Sequence, residues 1–295
     1  MVCKYTKLDD WVKELIVDPL SKEPLSIKNT GDYLIAPYGR QYPIVNGIYD
    51  LRLLNNKTTK DQKTWKKGQV WFERCTHSLA AHDLEQDYVA QINGVREVYE
   101  NIPITGRCLD VGGNDGRLRA FLDRNQQYVS CDPFLGVFDN IESRKSLLKA
   151  YPFLKDPVNF ICCDAEHLPF RSSSFETVHM RSVIDHFLNP ELSLNEAYRV
   201  LTDNGILIVG LYVRGGKTGK VDLITQFKEI VRAVLPLIGI NNHSDHHIWH
   251  PTYTELTNLI NECGFSISKV HWQKAHDAVC YIEAKKRLGT YAMVT

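Results

Sequence analysis

The chain has 295 residues, a length that fits two domains or one large α/β domain with an appendage. Hydrophobic residues make up 43% and charged residues 24%, which excludes a disordered or collagen-like chain. Thirty-five Lys and Arg balance 35 Asp and Glu, so the chain lacks the basic surplus of a protein that lives on phosphate backbones, although a local patch stays open. The longest apolar runs, at 205–213 and 231–240, fall well short of the ~20 residues that cross a bilayer. The first residues, MVCKYTKLDDWVKEL, carry charges throughout and no apolar signal core, so a soluble cytoplasmic protein without a membrane partner is expected. The eight Cys include no C-x-x-C pair, and several sit in apolar runs such as RCLDV and FICCD. They read as buried structural thiols in a reducing compartment.

In chain order, residues 1–52 hold short β-like runs at 33–35, 42–45 and 48–51, cut by Pro and Gly, which predicts a small β-hairpin unit. Residues 53–68 are polar and lysine-rich and read as a linker with a solvated face. Between 69 and 101 apolar residues recur at helical spacing, predicting two helices broken near His82. Strands and helices alternate from Gly106 onward. RCLDV, YVSCD, VNFICCD and SFETVHMRSV read as strands, and Leu118, Phe121 and Leu122 mark a helix after the first. Asn189-Pro190-Glu191 is a helix start with Asn as cap and Pro at the first helical position. Asn204-Gly205 reads as a helix stop with a left-handed residue. GILIVGLYV is a further strand, 254–263 a helix ending at Gly264, and 265–272 and 278–284 two closing strands. This alternation predicts a doubly wound, mostly parallel sheet.

The loop after the first of these strands reads Asp110-Val111-Gly112-Gly113-Asn114-Asp115-Gly116. A glycine-rich turn between strand and helix lets the backbone approach a ligand closely, but the same letters also suit a plain tight turn. The dinucleotide pattern G-x-G-x-x-G fails, because Asn stands at 114 and Arg at 117. An anion at Asp110 is of no use to a pyrophosphate and suits a ligand with a cationic end. Asp132 closes the next strand twenty-two residues later, the place of an acid that accepts from ribose hydroxyls. Asp164-Ala165 closes the third, where a carboxylate can meet an adenine amino group. Three acids at three strand ends suit a ribose, an adenine and a positive charge, and S-adenosylmethionine combines these.

Here a resemblance is specific. CLDVGGNDGRL, followed by CDAEHLPFRSSSFETVHMRSVIDHFLNPELSLNEAYRVLTDNGILIVGL, resembles the class I S-adenosylmethionine-dependent methyltransferases of the type 11 group over about 105 residues. The chain departs from the family pattern at Asn114, Glu176 and Asn204. The resemblance implies a Rossmann-like, seven-stranded sheet with a helical lid insertion. It implies that Gly112, Gly113 and Gly116 line the methionine and ribose path, that Asp132 holds the ribose, and that Asp164 and Ala165 hold the adenine. Arg181, at the end of the fourth strand, is counted with this cofactor set. No metal ligand is assigned. Residues 15–52 are similar to a small zinc-ribbon-like unit that accompanies several methyltransferases. YPIVNGI is intact, but Asp18-Pro19-Leu20-Ser21 stands where the Cys knuckle would be. A degenerate unit without zinc is therefore expected, either packing on an edge of the catalytic domain or docking a substrate or partner. The implied organisation is 1–52 ribbon-like unit, 53–105 linker and helices, and 106–295 catalytic domain with its lid at 214–251.

Methyl transfer from a sulfonium is an in-line displacement, and an alcohol nucleophile also needs a proton acceptor. Val183-Ile184-Asp185-His186 follows the fourth strand, at the mouth of the expected site. His186 is the candidate base or substrate-positioner, with Asp185 orienting it. Four of the 11 His, at 243, 246, 247 and 250, lie within eight residues in the lid. His246, His247 and His250 are candidate substrate contacts or a second base; a metal site from His246, His250 and a carboxylate is the lesser alternative. The expected activity is methylation of a small polar molecule, with oxygen as the favoured nucleophile, and nucleic acid is the less favoured partner. The rivals are an RNA-modifying methyltransferase and a non-catalytic binding protein. The oligomeric state stays open.

Overall fold

The computed structural model describes residues 2–28, 31–53, 83–219, 247–274 and 277–287, with scattered positions between 63 and 70. The first expected helix after residue 69, most of the 214–251 lid, Cys75 and His246 lie outside the described residues.

Strand β1 (Thr6–Lys7) leads into helix α1 (Asp10–Leu15), two elements with no signal in the sequence patterning. β2 (Ser26–Ile27), β3 (Tyr33–Ile35), β4 (Gln41–Val45) and β5 (Ile48–Asp50) follow as an antiparallel meander. Helix α2 (Glu85–Asn101) buries Tyr88, Val95, Val98 and Tyr99 and leaves Leu84 and Val89 exposed. β6 (Cys108–Val111), β7 (Tyr128–Asp132), α3 (Lys145–Ala150), β8 (Val158–Cys162) and β9 (Phe175–Arg181) come next. Helix α4 (Pro190–Val200) starts as its sequence predicts, the Asn189 side chain accepting from the Leu192 amide at 3.0 Å. β10 (Leu201–Tyr212) leads toward helix α5 (Tyr253–Glu262), which opens on a reciprocal capping box between Thr252 and Glu255. β11 (Phe265–Trp272) and β12 (Val279–Lys286) end the described chain. Among the described residues no helix is long and apolar enough to cross a membrane.

The sheet has twelve strands, not the seven expected, in the order β11-β12-β10-β9-β6-β7-β8-β5-β4-β3-β2, with β1 paired to β8. The reason lies at β8. Its outer edge carries unpaired amides and carbonyls, and such an edge is rarely left bare. Two short N-terminal pieces share it in parallel, Thr6–Lys7 against 158–159 and Tyr49–Asp50 against 161–162. The N-terminal meander therefore continues the sheet. Parallel pairing holds from β5 through β8, β7, β6 and β9 to β10, and antiparallel pairing at both flanks.

Alternate residues of the central strands feed two cores. Leu109, Val111, Val129, Cys131, Val178 and Met180 join the one that α4 and α5 cover. Cys108, Tyr128 and Phe160 join the one under α2 and α3. Two local expectations fail. The helix over 118–122 is a 3-10 turn, Arg117–Phe121, because Arg117 and Arg119 bond back to Asp115 and the Gly116 carbonyl and the chain is extended at Leu122. Asn204-Gly205 is not a left-handed stop: α4 ends at Val200, Leu201 already pairs with Phe175, and the register slips before Ile206.

At the turn after Asp18, where the expected unit lacks its Cys knuckle, the Asp18 carboxylate accepts three hydrogen bonds. Its Oδ2 accepts from the Ser21 amide at 2.7 Å and the Ser21 hydroxyl at 2.8 Å, and its Oδ1 from the Tyr42 hydroxyl at 2.5 Å. Burial pushes this carboxyl up, but the hydrogen bonds from Tyr42 and Ser21 outweigh it and hold the group below the ordinary carboxylate range. Asp18 thus contributes stability above about pH 4, lost as pH falls through its lowered folded value. Asp18→Ala removes three charge-assisted bonds of roughly 1.5–3 kcal/mol each in the best case. We expect a lower Tm at pH 7, a difference from wild type that narrows toward pH 3, and a smaller loss in Asp18→Asn, all read by thermal melts.

Candidate active site

The carboxyl ends of β6, β7, β8 and β9 open onto one cavity of about 250 Å³. Gly112, Asp132, Asp164, Ala165, Arg181 and His186, all singled out from the sequence, line it. In a parallel sheet with helices on both faces, this edge is where strand ends and loops leave room for a ligand.

Asp110 sits behind the loop instead. It is 4% exposed and fully engaged: the Tyr128 hydroxyl donates to Oδ2 at 2.6 Å, and His179 Nδ1 lies 2.7 Å from Oδ1. His179 Nε2 in turn lies 3.0 Å from the Tyr99 hydroxyl. Gly113 closes over this network, since a Cβ there would lie 2.6 Å from the Asp110 Oδ2. Gly112 is left-handed (φ 71°), and a Cβ would lie 2.3 Å from Val183 Cγ1. Asn114 is left-handed too (φ 48°), a conformation Asn tolerates, and it lines the cavity. Gly116 (φ 83°) starts the 3-10 turn behind the loop. Between them Asp115 is buried against Arg117, at 3.0 Å, and Arg144, at 3.8 Å, which anchors the far side of the loop.

The two cavity-facing acids are electrostatically unusual. Desolvation pushes the Asp132 carboxyl up to about 7, against the backbone amides of Phe134 and Asn114 that pull it down. Desolvation likewise lifts Asp164 to about 6, against the Leu53 amide at 2.9 Å. A carboxylate accepts about four hydrogen bonds, and these amides supply only part of that capacity. Among the described residues the lining also holds Arg181 and no lysine. Acceptors without a lysine cradle suit ribose hydroxyls and an adenine amino group rather than a triphosphate, and the guanidinium suits a ligand carboxylate. Together with the Cβ-free approach at Gly112, the residues present fit S-adenosylmethionine.

Other contributors had no signal in the motifs. Phe134, two residues past Asp132, lines the cavity. Glu166 also lines it and accepts from the Leu188 and Asn189 amides at 2.8 and 3.2 Å, so it ties the Asp164 loop to the loop bearing His186; burial raises its carboxyl. The N-terminal unit reaches in as well. Arg52 pairs with Asp50 at 2.7 Å and donates to the Pro133 carbonyl at 3.1 Å, beside Asp132. The Leu53 contact uses a backbone amide, which any residue but Pro supplies, so no motif could announce it.

Beside the cavity the 3-10 turn Ile184–His186 meets the segment 247–250. The Asp185 carbonyl accepts from the Ile248 and Trp249 amides at 2.8 and 3.1 Å. This brings His247 over His186, rings stacked with centroids 4.3 Å apart, and His250 beside His247 at 5.3 Å. The Asp185 carboxylate lies 4.0 Å from His186 Nε2 and 3.5 Å from His247 Nε2. Asp185 thus faces both imidazoles, not His186 alone.

A raised carboxyl costs stability once ionised. The ordinary value near 3.8 and the folded value near 7 define a window in which ligand-free protein loses stability as pH rises. Asp132→Asn removes that ionisation. We expect its Tm to exceed wild type at pH 8 by at least about 2 °C, the shift of roughly 1 kcal/mol in a chain of this size, and the gap to close toward pH 4 in calorimetric scans.

Residues 109–209 match the family model described as "Methyltransferase domain". A Caenorhabditis elegans protein named 2-methoxy-6-polyprenyl-1,4-benzoquinol methylase, mitochondrial, is 24% identical over 224 residues, covering 70% of this chain and 71% of the relative. Among solved structures, the Burkholderia thailandensis 1,6-didemethyltoxoflavin-N1-methyltransferase with bound 1,6-didemethyltoxoflavin and S-adenosylhomocysteine superposes with a TM-score of 0.51 at 13% identity. It covers 84% of this chain and 96% of its own. An S-adenosylmethionine-dependent methyltransferase from Thermotoga maritima gives a TM-score of 0.48 at 19% identity, over 76% of this chain and all of its own. With the methyltransferase domain matched over residues 109–209 and a cavity that fits the cofactor, the chain is an S-adenosylmethionine-dependent methyltransferase.

Proposed function

We propose that the protein methylates an oxygen of a small polar molecule, a sugar or a secondary metabolite, at the cavity mouth formed by His186. The observation that carries this is the position of His186: its imidazole lines the cavity while Asp185 and His247 stand against it. In support, two of the similar proteins act by their names on small cyclic molecules, a 1,4-benzoquinol and 1,6-didemethyltoxoflavin. The net charge of zero speaks against an RNA substrate. We read residues 1–52 as a degenerate zinc-ribbon unit in which Asp18 replaces the metal, residues 53–105 as the connection, and 106–295 as the catalytic part. The cytoplasm is the expected compartment.

Asp132 would hold the ribose hydroxyls, Asp164 and Ala165 the adenine, and Arg181 the carboxylate of S-adenosylmethionine, while Gly112 leaves room for its close approach. Bound there, the cofactor supplies an electrophilic methyl group on a sulfonium. The protein's own share is alignment and water exclusion. Val183 and Phe187 wall the path apolar, and His186 meets the acceptor's hydroxyl and takes up its loss of a proton. Asp185 and the stacked His247 fix the ring.

Incubation with methyl-labelled S-adenosylmethionine and separate metabolite and RNA pools tests the substrate class. Label in small molecules is expected, and label confined to RNA overturns the reading. His186→Ala should lower turnover by at least about 100-fold, within the ~10²–10⁴ range of proton transfer, with cofactor affinity unchanged. Calorimetry should find affinity for S-adenosylmethionine weakening as pH falls from 8 to 6, because protonated Asp132 loses acceptor capacity for ribose. In Asp132→Asn the slope shrinks to the part due to Asp164. Asp132→Ala should lose about 5- to 150-fold in affinity, the worth of roughly 1–3 kcal/mol.

A further inference from the structure

Three metal-ligating groups from two distant segments converge at the cavity mouth. One carboxylate oxygen of Asp185 and one ring nitrogen each of His186 and His247 lie within 4.8 Å of one another. The Asp185 side chain is only 13% exposed, and its Oδ1 is buried with no hydrogen-bond partner among the described residues. A buried carboxylate oxygen left without a donor is costly, and each such group needs an explanation. The neighbouring imidazoles do not supply it by hydrogen bonding: His186 Nε2 lies 4.0 Å from this oxygen, and His247 Nε2 lies 3.5 Å from the other one, Oδ2. The arrangement is not a chance of flexible side chains. The Asp185 carbonyl is clamped by the Ile248 and Trp249 amides, which fixes His247 beside the 184–186 turn.

We propose that Asp185, His186 and His247 bind a divalent first-row transition-metal ion at the mouth of the cofactor cavity. The donor set decides the class. Two imidazoles and one carboxylate suit Zn²⁺, Fe²⁺, Co²⁺ or Ni²⁺, whereas Ca²⁺ and Mg²⁺ call for oxygen ligands. Metal–ligand bonds of about 2.0–2.2 Å set the ligand atoms roughly 3 Å apart, and small rotations of the two rings close the observed spacing to that. Three protein ligands leave coordination positions open, as in catalytic sites, and His186 is itself a lining residue of the cavity.

The consequence for chemistry rests on the methyl-transfer reading above and refines the role of His186 from free base to ligand. An acceptor hydroxyl coordinated at the open position loses its proton to solvent more readily. The oxygen lone pair then forms the O–CH₃ bond, while the electrons of the breaking C–S bond stay on sulfur and leave a neutral thioether.

The test uses the full chain, stripped with a chelator and titrated with Co²⁺ alone, without cofactor or acceptor. We expect one equivalent bound by calorimetry, with visible absorption bands of a nitrogen- and oxygen-ligated Co²⁺. His247→Ala should weaken binding at least about ten-fold. His247 is 41% exposed, so its loss leaves folding intact, which a melting curve verifies. Asp185→Asn should weaken it similarly, and His271→Ala, on β11, should bind as wild type. No uptake by the wild type, or unchanged affinity in both site variants, overturns the metal site. Stripped protein that methylates small molecules at the full rate overturns the ion's part in the chemistry and leaves the proposed function standing. Co²⁺ binding without methylation of any small acceptor supports the ion and overturns the proposed function instead.

Discussion

A carboxylate buried at the middle of a parallel sheet has to be met by donors, and Asp110 on β6 imposes that requirement here. Its partners come from both neighbouring strands, Tyr128 on β7 and His179 on β9, and the chain of contacts runs on to Tyr99 on helix α2. Three strands and a helix are thereby held in one register at the point where the glycine loop departs. The loop can fold over this network only because Gly113 has no side chain. Asp110 supports the shape of the loop from behind and is not among the residues that line the cavity.

The site built on this base is assembled from segments remote in sequence. β7 and β8 deliver Asp132 and Asp164 to a cavity that desolvates both, and this desolvation raises both carboxyls. The N-terminal unit, joined to the sheet through the edge of β8, sets Arg52 and Leu53 against the same two strand ends. Residues 6–53 are therefore tied to the two strand ends that line the cavity. On the opposite side, Glu166 and the Asp185 carbonyl bind the loops that carry His186 and His247.

Much of this was legible in the letters. The Asn189-Pro190 start of α4, the strands at 108–111, 128–132 and 265–272, and the acids at three strand ends follow from local rules: capping geometry, period-two burial and the offset between consecutive strand termini. Local rules failed where long-range contacts compete with propensity. The expected helix at 118–122 gave way to a 3-10 turn because Arg117 and Arg119 are drawn back to Asp115 and Gly116, and the expected stop at Asn204 became an irregular stretch once Leu201 paired with β9.

The sequence by itself determined which residue types stand at the strand ends, since each strand's last residue and its following turn are set by neighbours in the chain. Only the tertiary structure decided which of those acids face the cavity and which is buried behind it. That choice turns on the strand face each side chain takes and on what packs there: Tyr128 and His179 claim Asp110, whereas Asp132 and Asp164 reach open space. The edge pairing of β1 and β5 with β8, the Leu53 amide on Asp164 and the meeting of Asp185, His186 and His247 were likewise decided in three dimensions. They join segments tens of residues or more apart, some through backbone groups that every residue carries, and a contact made by the backbone leaves no letter in the sequence.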